Sequence, residues 1–287
     1  MAFAQSQYST DFGLNLGAST YIGEIGDPGE TDNLENPFPF YIIPQAARFN
    51  LGGFYRYNFT RNIAARAELN WVRIAGADSL SNTPSRIGRN LSFRTDLLEI
   101  SIQGEYAFLV RNNISRQTKL DFRADVHVGI GYMWYYPKAQ LNDRWRSLRP
   151  LATEGLENQY GTGSLIVPFG VGYNFTFNRQ LRLGMDFTYR FTFTDYLDDI
   201  STDYASADEL PFAESFALAN RSAQAYARGD TDLPDPGTYN PGRKRGNPET
   251  NDAYFMLQIK VSYFIPMSNN FDRNRPRNRY SKRGLKR

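Results

Sequence analysis

The chain has a single histidine, His127, and no cysteine. Asp125 lies two residues before His127 in a strand-like stretch, so both side chains project to the same side. Ser101 falls on the polar side of a neighbouring strand-like stretch. Together they could form a Ser/His/acid hydrolytic group. That group would face away from any bilayer, where a lipid-cleaving site needs access, so a hydrogen-bonded structural histidine is the preferred reading. A second group runs Asp195, Asp198, Asp199 and Asp203, then Asp208-Glu209. Clustered carboxylates suit Ca²⁺, but the spacing lacks the pattern and central glycine of an EF-hand. Solvated loop acids or ion pairs between loops are the plainer reading. Without cysteine, disulfides, thiolate metal sites and Cys nucleophiles are excluded. No catalytic residue, cofactor or resident metal is expected.

The elements that must position these residues are read from period-two alternation. Eight segments show it. In the first, Phe12, Leu14, Leu16 and Ala18 oppose Gly13, Asn15, Gly17, Ser19 and Tyr21. In the second, Phe49, Leu51, Tyr55 and Tyr57 oppose Asn50, Phe54, Arg56 and Asn58. The third sets Ile63, Leu69 and Trp71 against Arg66, Glu68 and Asn70, and the fourth sets Leu98, Ile100, Ile102 and Tyr106 against Glu99, Ser101, Gln103 and Glu105. The remaining four are centred on residues 120–134, 165–177, 181–193 and 255–265. Their connections alternate short and long, the long ones covering about 24–47, 74–93, 136–163 and 195–252. That is the signature of an up-and-down barrel in the outer membrane, with short periplasmic turns and long extracellular loops. The expected fold is therefore all-β, an eight-stranded antiparallel transmembrane barrel over residues 8–266. An even strand count would put both termini in the periplasm.

Composition decides which face is outside. Aromatic residues make up 15% of the chain, mostly in these alternating runs. They are too many to fill the interior of eight strands, which just accommodates side chains. Turned outward they meet lipid, and the charges turn inward as an ion-pair network. The expected luminal set is Arg66, Glu68, Glu99, Glu105, Arg123, Asp125, His127, Asp186, Arg190 and Lys260, with Arg56, Asp121 and Arg182 on the same face. A lumen filled this way leaves no open channel. Tyr21, Trp71, Trp134, Tyr135 and Tyr263 fall near strand ends and are expected as interfacial girdles. In the last long loop, Phe212, Phe216, Leu218 and Ala219 have the spacing of a short amphipathic helix, and the Pro/Gly-rich run after Gly229 reads as extended loop.

Ala2-Phe3-Ala4 has the A-x-A form of a signal-peptide cleavage site, so residues 1–7 are expected to be what remains of an N-terminal segment. Residues 267–287 carry eight Lys and Arg against Asp272 alone. A nucleic acid would be the reflex partner for such a run, but a periplasmic position excludes it. An acidic protein or anionic headgroups fit instead. Arg61, Arg111, Arg116 and Arg179 in the short turns, with Arg273, Arg275, Arg277 and Arg279 in the tail, are the candidate partner contacts.

Two stretches, FGLNLGASTYIGEIG and FTDYLDDISTDY, resemble the PorG-like outer-membrane barrel family of the Bacteroidetes type IX secretion system. The resemblance spans roughly residues 8–266. It implies a non-enzymatic protein set beside the periplasmic PorK/PorN ring and helping to hold it at the outer membrane. The alternative is a surface-exposed barrel of the OmpX/OmpA kind that binds a ligand or partner through its extracellular loops.

Overall fold

The computed structural model describes residues 9–26, 44–115, 120–178, 180–230 and 232–266. Nine strands form: β1 (Ser9–Ile22), β2 (Arg48–Asn58), β3 (Ile63–Ala77), β4 (Ser92–Ser115), β5 (Leu120–Leu141), β6 (Arg144–Ser147), β7 (Gly163–Phe177), β8 (Leu181–Thr192) and β9 (Ala253–Pro266). All but β6 build the barrel. Each barrel strand pairs antiparallel with its neighbour in sequence, β4 pairs with β5, and β1 pairs with β9 to close the wall. β6 is a short addition hairpinned onto β5 through Asn142-Asp143, both with positive φ (49° and 61°). Two left-handed central residues are what a type I′ turn requires.

The wall is inside-out relative to a soluble barrel. Leu14, Ile102 and Ile130 are 68%, 64% and 60% exposed. Arg56, Arg66 and Arg190, pointing the other way, are at most 1% exposed. Apolar exposure on β4 runs from Leu98 to Phe108, about the 9–11 residues a tilted strand needs to cross a bilayer. No helix among the described residues is long and apolar enough to cross one.

β3, β4 and β5 run further than their alternation predicts. The second long connection shrinks accordingly to residues 78–91, and much of the stretch after Phe108 is strand. Above the charged section the inward positions turn apolar, with Val72, Ile74, Leu97, Met133, Ile166 and Met256 buried there. An alternation of apolar with polar loses its contrast where both faces are apolar, which is why the strand ends were not legible. Three short helices decorate the long-loop end: α1 (Pro84–Arg89), α2 (Ala213–Ala219) and α3 (Ser222–Arg228). Proline in the first turn starts α1, where its missing N–H costs nothing. Gly229 at φ +78° ends α3.

Candidate functional site

Register assembles the lumen. Asp11, Arg56, Arg66 and Gln103 stand directly opposite one another across β1 to β4, and Glu105 faces His127 across β4 and β5. Side chains from all parts of the wall then meet on the axis. Arg56 reaches Asp11 at 2.9 Å and Glu105 at 2.8 Å. Arg66 bridges Glu68 (3.0 Å), Glu105 (2.9 Å) and Asp186 (3.2 Å). Lys260 joins Glu68 at 2.8 Å to Asp186 at 2.7 Å, and Arg190 binds Glu99 at 3.0 Å. Arg123 contacts Glu105 and Asp125, each at 3.3 Å, and Arg182 contacts Asp11 at 3.0 Å. Six cations thus meet six carboxylates, all buried. Burial of charge is tolerable only with such pairing.

The expected luminal residues, Asp121 apart, therefore share one network; Asp121 is only half-buried near the start of β5. Asp11 was missed although it continues the β1 alternation by one step, a signal that was available. His127 sits in this network at 3.6 Å from Asp186 and 3.8 Å from Asp125, with the Thr188 hydroxyl 3.3 Å from Nε2. Ser101 instead accepts a hydrogen bond from Gln103 at 3.1 Å, so no Ser–His pair is assembled. Gly170 makes the room: a Cβ there would lie 2.7 Å from His127 Nε2.

The acidic group at the end of β8 is where the structure departs most from the sequence reading. It is not solvated. Leu197 and Ile200 enter the barrel mouth and pack with Tyr21, Ile25, Val72, Ile74 and Phe93 in one apolar cluster. The connection between β8 and β9 is thus a plug. Thr95 donates to the Leu197 carbonyl at 2.5 Å, and the Leu197 N–H donates to Asp252 at 2.9 Å.

The intervening aspartates turn to separate partners. Asp198 and Asp252 lie 2.7 Å and 2.5 Å from the Tyr21 hydroxyl. That hydroxyl has one proton to give, so one of these carboxyls must carry a proton and donate. Asp199 accepts from Thr153 at 2.5 Å and from Tyr160. Burial raises all four acids, Asp195 to about 9 with Asp198 as a repelling neighbour, and Asp199 to about 6 against the pull of Arg245. Asp198 and Asp252 are pushed well above the ordinary carboxylate range by burial, helped by Glu24 and Asp198 respectively. The Asp195 oxygens make no close hydrogen bond among the described residues, and the Ser201 side chain beside them offsets the burial only in part. Among the described residues no three acids or histidines are grouped as metal ligands would be, and Asp195, Asp198 and Asp199 are not brought together.

Two arginines lock the cap. Arg89 forks onto Asp78 with both contacts at 2.9 Å and donates to the carbonyls of Glu24 and Arg245. Arg245 binds Glu154 at 2.8 Å, and Glu154 in turn accepts from the Ser201 and Thr202 N–H groups at 3.0 Å. Nothing local in the sequence marks these pairs, because their partners are far apart in the chain.

Of the expected girdle, Trp134 and Tyr263 lie on the exposed face, and Trp71 is partly exposed there. Tyr21 and Tyr135 are buried and point inward; each shares parity with luminal neighbours, Ser19 and Met133. Arg61 and Arg111 are exposed at the short-turn end, Arg61 donating to the Val110 carbonyl at 3.3 Å. Arg116, Arg179, Arg273, Arg275, Arg277 and Arg279 lie outside the described residues.

A closed eight-stranded antiparallel wall, apolar outside and ion-paired inside, defines a β-barrel of the outer-membrane type. The chain belongs to the DUF6089 family, a domain of unknown function, whose model matches residues 1–216. No curated protein matches it. Among solved structures it is similar to OprG of Pseudomonas aeruginosa (9% identity, TM-score 0.39, covering 91% of this chain and 97% of that one). It is also similar to the N-terminal barrel domain of Pseudomonas aeruginosa OprF (10%, 0.34, 91% and 100%) and to Ail of Yersinia pestis (9%, 0.31, 91% and 100%). Likeness at this level carries no argument; the architecture rests on the strand pairing itself.

Proposed function

We propose that the protein is a non-enzymatic outer-membrane component of a type IX secretion system, a barrel that anchors or stabilises the periplasmic PorK/PorN ring. One observation supports this reading above others. The two stretches that carry the family resemblance, far apart in sequence, meet in the fold: Tyr21 of the first bonds Asp198 of the second, and Ile25 packs with Leu197 and Ile200. The resemblance thus falls on a three-dimensional unit. A lumen packed with ion pairs and plugged at its mouth also suits a scaffold better than a conduit, leaving the two ends of the barrel as working surfaces. On this reading lipid surrounds the belt, the short-turn end with Arg61 and Arg111 faces the periplasm, and the basic tail adds grip on the ring.

Affinity purification from the native membrane tests it. Ring proteins should co-purify, and removal of residues 268–287 should lower their yield. A full yield without the tail would remove the tail from the mechanism, and absence of any ring protein would remove the whole reading. A second reading, ligand capture by the long loops, is favoured by the packed cap and the cavity within it. Deleting the 195–252 connection would then abolish function while secretion continued.

A further inference from the structure

A cavity of about 400 Å³ lies in the cap at the long-loop end, between the end of β1, α1 and the segment leading into β9. That is within the size range of small-molecule sites. Three features of its wall limit what could occupy it. Glu24 Oε2 and the Tyr204 hydroxyl are buried and have no hydrogen-bond partner among the described residues. Buried polar atoms are nearly always satisfied, so such a pair in a cavity wall marks atoms available to a ligand. Lys244, exposed at the rim, brings a positive charge whose ammonium donates to the neutral Asn247 side-chain oxygen at 3.3 Å; it feels the Glu24 carboxylate of the same wall but among the described residues forms no salt bridge. The buried cations of the wall are already committed, Arg89 to Asp78 and Arg245 to Glu154. Finally, Tyr204 and Tyr239 stand edge-to-face with ring centroids 6.1 Å apart, giving the cavity an aromatic side.

A carboxylate acceptor and a phenol call for hydroxyl partners, an ammonium held in no salt bridge among the described residues calls for an anion, and tyrosine rings suit the C–H face of a pyranose. We infer that this cavity binds an acidic saccharide, with Glu24 and Tyr204 on ring hydroxyls and Lys244 on the sugar carboxylate. Neither a plain anion nor a neutral sugar engages all three. The inference stands apart from the secretion reading, and either can fail alone. The same chemistry occurs in free uronic acids and in acidic sugars of membrane-anchored glycans.

The test is calorimetric titration of the full detergent-solubilised chain with D-glucuronate and D-galacturonate, against D-glucose and acetate. At least one uronate should bind at least tenfold more tightly than either control. Lys244→Gln, an exposed position, should erase the preference for that uronate over glucose. Tyr204→Phe, which removes a hydroxyl with no hydrogen-bond partner among the described residues, should weaken uronate and glucose alike, about tenfold. Competition by lipopolysaccharide in nanodiscs, but not by phospholipid alone, would assign the site to membrane-anchored glycan; competition by neither would assign it to the free sugar acid. No heat from either uronate, acetate binding as well as uronate, or unchanged preference in Lys244→Gln would each overturn the inference.

Discussion

Replacing Asp195 by Asn should stabilise the cap at high pH and leave it unchanged at low pH. The Asp195 carboxyl is held at about 9 by burial and by Asp198, against about 3.9 in an unfolded chain. A carboxyl raised in the folded state contributes fully below pH 4 or so, and its contribution is lost as pH climbs towards 9. Between pH 4 and pH 7.5 that amounts to at most about 5 kcal/mol at 1.36 kcal/mol per unit. Solvent screening at the cap surface reduces it, and about 2 kcal/mol is a fair working value. Asn keeps the shape, needs no proton, and retains an oxygen that can accept from the neighbouring Ser201 side chain. Hydrogen–deuterium exchange in nanodiscs, expressed as protection factors for residues 195–252, reads the difference directly. Protection in the variant should exceed wild type about 30-fold at pH 7.5, the equivalent of 2 kcal/mol, and match it at pH 4. Equal protection at pH 7.5, or equal loss at both pH values, would refute the account of Asp195 as an acid whose proton affinity is raised by burial and by Asp198.

Three further outcomes follow from the same geometry. Arg66→Ala removes the cation shared by Glu68, Glu105 and Asp186, leaves the buried network one positive charge short, and should cost about 3–5 kcal/mol, seen as a lower urea midpoint for the barrel in detergent. Ile130→Arg places a charge on the exposed belt of β5 and should cost about 2–4 kcal/mol if it sits near the bilayer midplane; refolding into lipid vesicles measures this, with little change expected for Arg at the loop position Leu156. Leu197→Ala empties part of the plug and should loosen the cap by about 2–5 kcal/mol, read as faster proteolysis of the β8–β9 connection, while planar-bilayer recordings still show no conductance because the ion-paired section below is untouched.

How much of this was legible in the sequence varies by element. Alternation assigns the faces of the strands because side-chain direction has a strict period of two, so Leu183, Met185 and Phe187 had to oppose Arg182, Gly184 and Asp186 whatever the partners. The luminal charges were legible for the same reason: a cation on a strand whose other face is aromatic has only the interior to occupy. Three things depended on tertiary structure. Register chose the partners, setting Arg66 among acids from β3, β4 and β8. The inner face changed from charged to apolar near the mouth, so Tyr21 and Tyr135 became core where their position alone implied an interface. And the aspartates after β8, which locally read as a polar loop, were carried into the mouth by Leu197 and Ile200, so that burial raised their proton affinity. A local pattern records which way a side chain points along its own strand. It holds no record of what a distant segment brings to meet it, and that encounter made both the plug and the cavity.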